Sequence, residues 1–519
     1  MEKIMKKITG LVVVLAALIL GGYYGMGVMT ERALRKNIDT INRTEGVHAE
    51  LSDYQRGWFR SHAKLDWKVR VPQQVITTEN GETTTIPAKD FDTAMPLTIW
   101  HGPVIFANGL HFGLGYAQSR LELPTQLKES FKSTFTSESV EPSLNLVFFV
   151  EYTGATRVDG DAPAFSLVTT DKTTRIDWKG MQTDLKITDD GRALKGGFSV
   201  AGADISNDSK KVEIGSVTSH YTLNKNDYGM YVGEADLSFE SLHVLDGVKK
   251  LVDLESLDSR STSDVAEGGL FNTGLSMSLQ KLTINDKTFG PGAFELSLKN
   301  LDAEVLARIN DKIKSAQNGD DAAKQQALFA ILPELPKLLG RGAALNLSQL
   351  RMTVPQGVIE GNLLIELPKG DTINPLQLMQ NISGNGRLKL PAAVLKDVLR
   401  LGNLQKQMKA QQAAGEAQTQ EAAPAPANTA ESVAAAATTA TTTPVPATEQ
   451  TPAAAPAAAP MTADDLARQV EAMTDAQVAG MVKGGLLVQQ GSDFVVELSL
   501  QKGQFQVNGK PFTPSMLQF

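Results

Sequence analysis

The sequence predicts an α+β protein dominated by β-structure: an elongated, curved, mainly antiparallel sheet with packed helices, tethered by one N-terminal transmembrane helix. Three observations carry that expectation. From Ile8 to Met29 the chain is apolar apart from Thr9 and the pair Tyr23 and Tyr24. From Phe59 to Val71 the side chains alternate in character without a break. Farther on, a phrase of apolar, x, apolar, x, x, apolar, x, apolar returns at Phe198-Val200-Ala203-Ile205, Leu237-Phe239-Leu242-Val244, Met277-Leu279-Leu282-Ile284 and Leu345-Leu347-Leu350-Met352, with a weaker copy at Leu296-Leu298-Leu301-Ala303.

The first segment reads as an anchor. As a helix, residues 8–29, including Ile8, Leu11, Leu15, Leu18, Leu20 and Met29, rise about 33 Å, enough to cross a hydrocarbon core of about 30 Å. Lys3, Lys6 and Lys7 precede it and favour a cytoplasmic N-terminus over residues 1–7, with the rest of the chain across the membrane. A cleaved signal would have a shorter apolar core and a small-x-small site; neither is present, and Cys 0 leaves no thiol to accept a lipid. Gly21 and Gly25 have the spacing that lets two membrane helices approach closely.

Residues 30–410 read as the β-rich region with helices. Glu31 to about Ile41 continues the helical pattern. In the strand Phe59–Val71, Phe59, Ser61, Ala63, Leu65, Trp67, Val69 and Val71 share one face, and Arg60, His62, Lys64, Asp66, Lys68 and Arg70 the other, the period of a half-buried antiparallel strand. In the recurring phrase the alternation shifts by one residue at its middle, as a β-bulge or a bend between sheets requires. The copies are unequally spaced, so the repeat is loose. Leu301, Val305, Leu306, Ile309 and Ile313 mark one helical stripe, Ala327 to Leu339 is apolar but broken by Pro333 and Pro336, and a third helix starts near Pro391 and runs toward Met408.

Residues 411–460 collapse to Ala, Pro, Thr, Glu and Gln. Such a segment buries too little apolar surface to offset its ordering entropy and reads as a disordered linker. Residues 461–519 read as a helix capped by Thr462 with Asp465 and ended by Gly484-Gly485, then a hairpin across Gly491-Ser492-Asp493 and a last strand, packing back on the main region.

Composition excludes several functions. The net charge of -8 and pI near 5.5 argue against a nucleic-acid partner. Without cysteine there is no disulfide framework, thiolate metal site or cysteine nucleophile. No nucleophile elbow, His-Glu-x-x-His pair or EF-hand loop is present, and Gly503 to Lys510 has the wrong spacing for a phosphate loop. The six histidines, His48, His62, His101, His111, His220 and His243, are scattered. No catalytic, cofactor or metal residues are therefore nominated, and a non-enzymatic protein without a cofactor is expected.

Two clusters stand out. Tyr54-Gln55-Arg56-Gly57-Trp58-Phe59 puts a glycine at the entry to the long strand, where a left-handed turn residue is expected. Trp100-His101-Gly102-Pro103 interrupts the apolar stretch Leu97 to Phe106, and proline, which cannot donate to a ladder, marks an edge or bulge. Together with the basic N-terminus, the anchor, Gly485-Leu486-Leu487 and Asn508-Gly509-Lys510-Pro511, these residues resemble the YdgA/YihF family of bacterial envelope proteins of unassigned function. Tyr54, Arg56, Gly57, Trp58, Phe59, His101, Gly102, Pro103, Asn508 and Gly509 carry that resemblance. It implies a single-pass protein of the bacterial inner membrane with its bulk in the periplasm, and allows a homodimer. More distantly, the bent-strand phrase is similar to strands of AsmA-like envelope proteins, whose apolar β-grooves are associated with lipid handling. The expected partners are membrane lipids, bound along an apolar groove in envelope homeostasis; the alternative is an assembly factor that engages envelope proteins and has no groove.

Overall fold

Alternating sequence becomes antiparallel ladder over most of the chain. The computed structural model describes residues 2–42, 47–71, 74–77, 83–188, 191–317, 321–370, 381–421, 463–501 and 503–513, with side chains in the first helix described from Ile19 onward apart from Asn37, Thr40 and Ile41. The chain divides into two compact units, Met1–Lys389 with Glu497–Gln506, and Leu390–Val496 with Val507–Phe519.

In the first unit one antiparallel ladder runs through Val47–Gln55, Arg60–Val71, Lys89–His101, Gly115–Glu122, Ser143–Val150, Thr156–Ala162, Met181–Thr188, Ala193–Val200, Val217–Lys225 and Tyr231–Asp246. It continues through Lys249–Ala266, Leu270–Ile284, Gly292–Asp302, Ala344–Val354, Gly357–Glu366 and the strand that starts at Ser383. A side branch, Phe165–Val168, Thr174–Trp178, Ala203–Asn207 and Lys210–Ile214, rejoins it on the far half of Tyr231–Asp246.

The branch explains the phrase. Through Phe239 the strand Tyr231–Asp246 pairs with Val217–Lys225, and from Leu242 it pairs with Lys210–Ile214. The one-residue shift in alternation falls at this change of partner. Neighbouring strands bend at the same level, at Lys179-Gly180, Ala201-Gly202 and Gly215-Ser216, and hydrogen bonds stitch the line together: Lys179 N to Gly202 O at 3.0 Å, Ala201 N to Gly180 O at 2.9 Å, Gly215 N to Ser241 O at 2.8 Å and Glu240 N to Ser216 O at 2.9 Å. Gly202 has φ +113, and a Cβ there would lie 2.4 Å from Ile214 O, so the corner requires glycine. The sheet is creased along a line that the sequence marks strand by strand.

Register also sorts the faces. Ala63, Leu97, Ser119, Leu146, Gly160, Thr183, Phe198, Ser219, Leu237, Ser259, Met277, Phe294, Leu350, Gly361 and Leu388 stand successively opposite one another. No charge interrupts this row across fifteen strands. On the other face Asp184, Gly197, His220, Asp236, Arg260, Ser276 and Glu295 form the equivalent row.

The expected faces of the long strand hold for Ser61, Ala63 and Leu65, which are buried, while Arg60, His62 and Lys64 are exposed. Phe59 departs from its expected buried side because the ladder begins only at Arg60. Gly57 does not adopt the left-handed φ expected of it; a Cβ there would lie 2.3 Å from Arg60 O, so it serves a close backbone approach. Leu301 ends a strand, and Ala303 opens the helix Ala303–Gln317, whose Val305 and Ile309 pack with Leu338 and Ala343. The stretch Ala327 to Leu339 resolves into Asp321–Ile331, a 3-10 turn Leu332–Glu334 and Leu335–Leu339, a proline near each restart.

The first helix spans Glu2–Ile41 without a break, so the segment after Glu31 continues the N-terminal one. Among the described residues no helix is long and apolar enough to cross a membrane. The side chains of Ile8, Leu11, Leu15 and Leu18, on which the anchor expectation mostly rests, lie outside those described.

In the second unit the helix Ala392–Glu421 runs past the expected end near Met408 into the expected linker and packs along Ala463–Gly484; residues 422–460 of that linker, and Thr462, the expected helix cap, lie outside the described residues. Asn403 bonds Thr474 Oγ1 at 3.1 Å and Gln477 Oε1 at 2.9 Å, and Val478, Leu487 and Phe494 form the local core with Leu395 and Leu399.

Candidate functional site

The first helix carries a stripe at intervals of four, three, four and four: Tyr23, Gly27, Thr30, Leu34 and Ile38. Such spacing puts five residues on one face. That face lies on the start of the ladder. Leu34 is buried, and Ile38 packs with it against Leu51, Leu65, Leu97 and Phe148. Thr30 is wholly buried, its Oγ1 2.8 Å from Met26 O and 2.9 Å from Leu114 O. At the helix end, Asn42 donates to Ala49 O at 2.8 Å and accepts from Ala49 N at 2.6 Å, capping the edge strand.

Two glycines make the approach possible. A Cβ on Gly27 would meet the His101 ring at 3.1 Å, and a Cβ on Gly115 would lie 2.2 Å from Thr30. Helix and sheet each remove a side chain where the other inserts one. Gly21 and Gly25, singled out by their spacing, have nothing within 4 Å of where a Cβ would stand; the contact glycine is Gly27.

His101 sits beneath the helix. Its Nε2 lies 2.7 Å from Ser61 Oγ, and its buried Nδ1 has no hydrogen-bond partner among the described residues. Burial, then the nearby Arg56 charge, pushes the imidazole down to about 4. It is neutral at ordinary pH, and Ser61 and His101 are both sealed from solvent. This hydroxyl–imidazole pair sits in a packed joint. Gly102 belongs to the same joint because a Cβ there would fall 1.7 Å from Gly113 O, and the Gly102-Pro103 peptide is cis.

The rim is charged and aromatic. Arg56 donates to Glu31 and stacks over the rings of Tyr24 at 5.5 Å and Tyr54 at 5.9 Å. Burial pushes the Glu31 carboxyl up, but bonds from Arg56 and Arg35 outweigh it and hold the group below its usual range. Tyr23 meets Phe59 edge-on at 4.9 Å and donates to Val104 O at 3.0 Å; Tyr24 lies 5.5 Å from Trp58.

Tyr54, Arg56, Gly57, Trp58, Phe59, His101, Gly102 and Pro103 thus gather around one stretch of helix. Asn508 and Gly509 lie in the second unit, where Asn508 Nδ2 bonds Gly485 O at 2.9 Å and Leu486 O at 3.1 Å across a turn. Leu20 and Met29 are exposed. Sequence reasoning missed Gly27 and Thr30, whose only mark is their helical spacing to Tyr23, Leu34 and Ile38. Among the described residues no group of three His, Asp or Glu is placed to hold a metal. A depression of about 490 Å³ on the charged face is lined by Asp159, Asp184 and His220.

The second feature is the apolar row itself. Beneath the helix the row's Leu97 is 3% exposed, whereas Leu237 and Met277 are 43% and 39% exposed. From Phe198 to Leu388 the row crosses nine strands, about 38 Å at the usual strand spacing.

A family described as bacterial protein of unknown function (DUF945) matches residues 1–515. No curated protein matches the chain, and no solved structure does.

Proposed function

We propose, from the premise that this chain belongs to the DUF945 family of bacterial proteins of unknown function, that it is a non-enzymatic lipid-binding protein. Its N-terminal helix anchors it in the inner membrane through the part of residues 8–29 that precedes the docked face starting at Tyr23, with its sheet in the periplasm. The single observation that carries the reading is the charge-free row, buried under the first helix and half-exposed beyond it. An apolar face of that length exposed to water is a ligand surface or an interface. Acyl chains fit a row without charges whose backbone groups the ladder already pairs. The anchor reading draws on Lys3, Lys6 and Lys7 before an apolar run. The likeness to YdgA/YihF proteins, and the fainter one to AsmA-like strands, point the same way.

The test is native mass spectrometry and lipid extraction on the full chain released from membranes, beside a Leu237→Glu, Met277→Glu double variant. Phospholipid retained by the parent and lost from the variant is expected. Equal lipid on both, or none on either, overturns the reading. Protein adducts to this face without lipid would instead support an envelope assembly factor.

A further inference from the structure

The hairpin Val104–Phe106 and Leu110–Phe112 is built inside out. Its register sets Val104 opposite Phe112, Ile105 opposite His111 and Phe106 opposite Leu110. Ile105 is buried and His111 stacks on Tyr116 at 4.9 Å, so that face is turned inward. The outward face carries Phe106, 76% exposed, with Leu110 and Phe112. Beside it, on a separate turn, Trp58 is 55% exposed and Phe59 is also open. Tyr23 joins the two groups, touching Phe59 with its ring and Val104 O with its hydroxyl. Two loops distant in sequence therefore present aromatics near one level of the first helix, and close by Arg56 lies over Tyr24 and Arg60 over Trp100.

We propose that this aromatic face dips into the outer boundary of the bilayer that holds the helix. The inference rests on the anchor reading and adds a second point of membrane contact to it. Among the described side chains of the helix, Ile19 and Leu20 are exposed and docking begins at Tyr23, so the apolar run ahead of the docked face is Ile8 to Gly22. Those residues rise only about 22 Å, against a hydrocarbon core of about 30 Å. For the run to span, the body at the level of Tyr23 must be drawn into the boundary of the bilayer, over roughly the 8 Å by which the run falls short. What the chain places there is Trp, Tyr and Phe flanked by arginine, the residue types that favour the membrane–water interface. A bilayer matches both the position and the chemistry; a protein partner would match only the apolarity.

The cysteine-free chain permits nitroxide labels at single introduced thiols. The full chain is reconstituted in phosphatidylethanolamine–phosphatidylglycerol vesicles after Phe106→Cys, Phe112→Cys, Leu15→Cys or, as the aqueous control, Val248→Cys on a fully exposed hairpin tip. Collisions with oxygen and with a water-soluble nickel chelate are compared. Labels at 106 and 112 are expected to meet nickel several-fold less often than the label at 248 while remaining open to oxygen. If they behave like 248 while the label at 15 is shielded from nickel, the aromatic face is overturned and the anchor stands. If the label at 15 is open to nickel, the anchor reading falls and takes this proposal with it, even where 106 and 112 are shielded. Labels at 106 and 112 closed to both oxygen and nickel would mean a protein partner and would overturn the proposal.

Discussion

Two stretches of one sheet face have the same alternation and different fates. Between Val47 and Val150 the apolar side is roofed by the first helix, and Met95, Leu97, Ile99 and Ala117 are shut away from water. From Phe198 onward the equivalent side chains form a register-aligned row that is half open. Alternation specifies which side of a strand is apolar; it does not specify what covers that side. In the first stretch the cover is supplied by the chain itself, through a helix whose Gly27 and Thr30 fit against His101 and Gly115. In the second, exposed Leu237, Leu275 and Met277 mark the face we assign to lipid.

The contrast is broken most severely from the covered end. Ile99→Ala removes a fully buried side chain and should destabilise the first unit by about 2–5 kcal/mol. Met277→Ala, the same kind of truncation on the half-open row, should cost less than about 1 kcal/mol. Denaturant melts of the two variants in the full chain test this directly. Equal losses would mean that the row is as closed as the core.

The next effect is one of pH. His101 protonates near 4 when folded and near 6.5 when free. As pH falls from 6.5 the unfolded chain takes up a proton that the folded chain refuses, so stability drops, by about 3 kcal/mol once pH 4 is passed. Above pH 6.5 this contribution is fully present. His101→Gln should flatten the pH dependence of unfolding over that window; an unchanged slope would place its origin elsewhere, for example in the paired carboxylates.

Gly27→Val comes third. The added methyls would press on the His101 ring, and overpacking of this kind costs about 1–3 kcal/mol. Limited proteolysis should then cut the helix between Val28 and Leu34 faster than in the parent, while the sheet from Met181 to Glu366 keeps its hydrogen-exchange protection. Loss of protection in both regions would show that the roof supports the whole ladder and not only its start.

How much of this was legible in sequence differs between the two stretches for a physical reason. The faces of the long strand and the crease through the repeated phrase were readable because each is a local pattern: period two, and a one-residue slip where a strand changes partner. The row was not, because it is made of register. Ser219, Ser259 and Gly361 look like breaks in their own strands and become part of an uncharged stripe only when paired with Phe198, Met277 and Leu388 or with their neighbours. The docking site was half legible. His101-Gly102-Pro103 and Tyr54 to Phe59 were singled out as turn-formers, but Gly27 and Thr30 lie in an apolar run where small residues carry no signal of their own.

The smallest expected effect on stability separates the two readings of the open row. Leu237→Ser with Met277→Ser shortens two half-exposed side chains and introduces hydroxyls where water already reaches, so the melt should move by less than about 1 kcal/mol. The row already contains Ser219 and Ser259, and the exchange stays within its own chemistry. If acyl chains lie on this face, removing its two most open apolar contacts lowers lipid retention on the purified full chain while folding is untouched. A variant that melts like the parent and keeps all of its lipid would show that the lipid sits elsewhere than on this row.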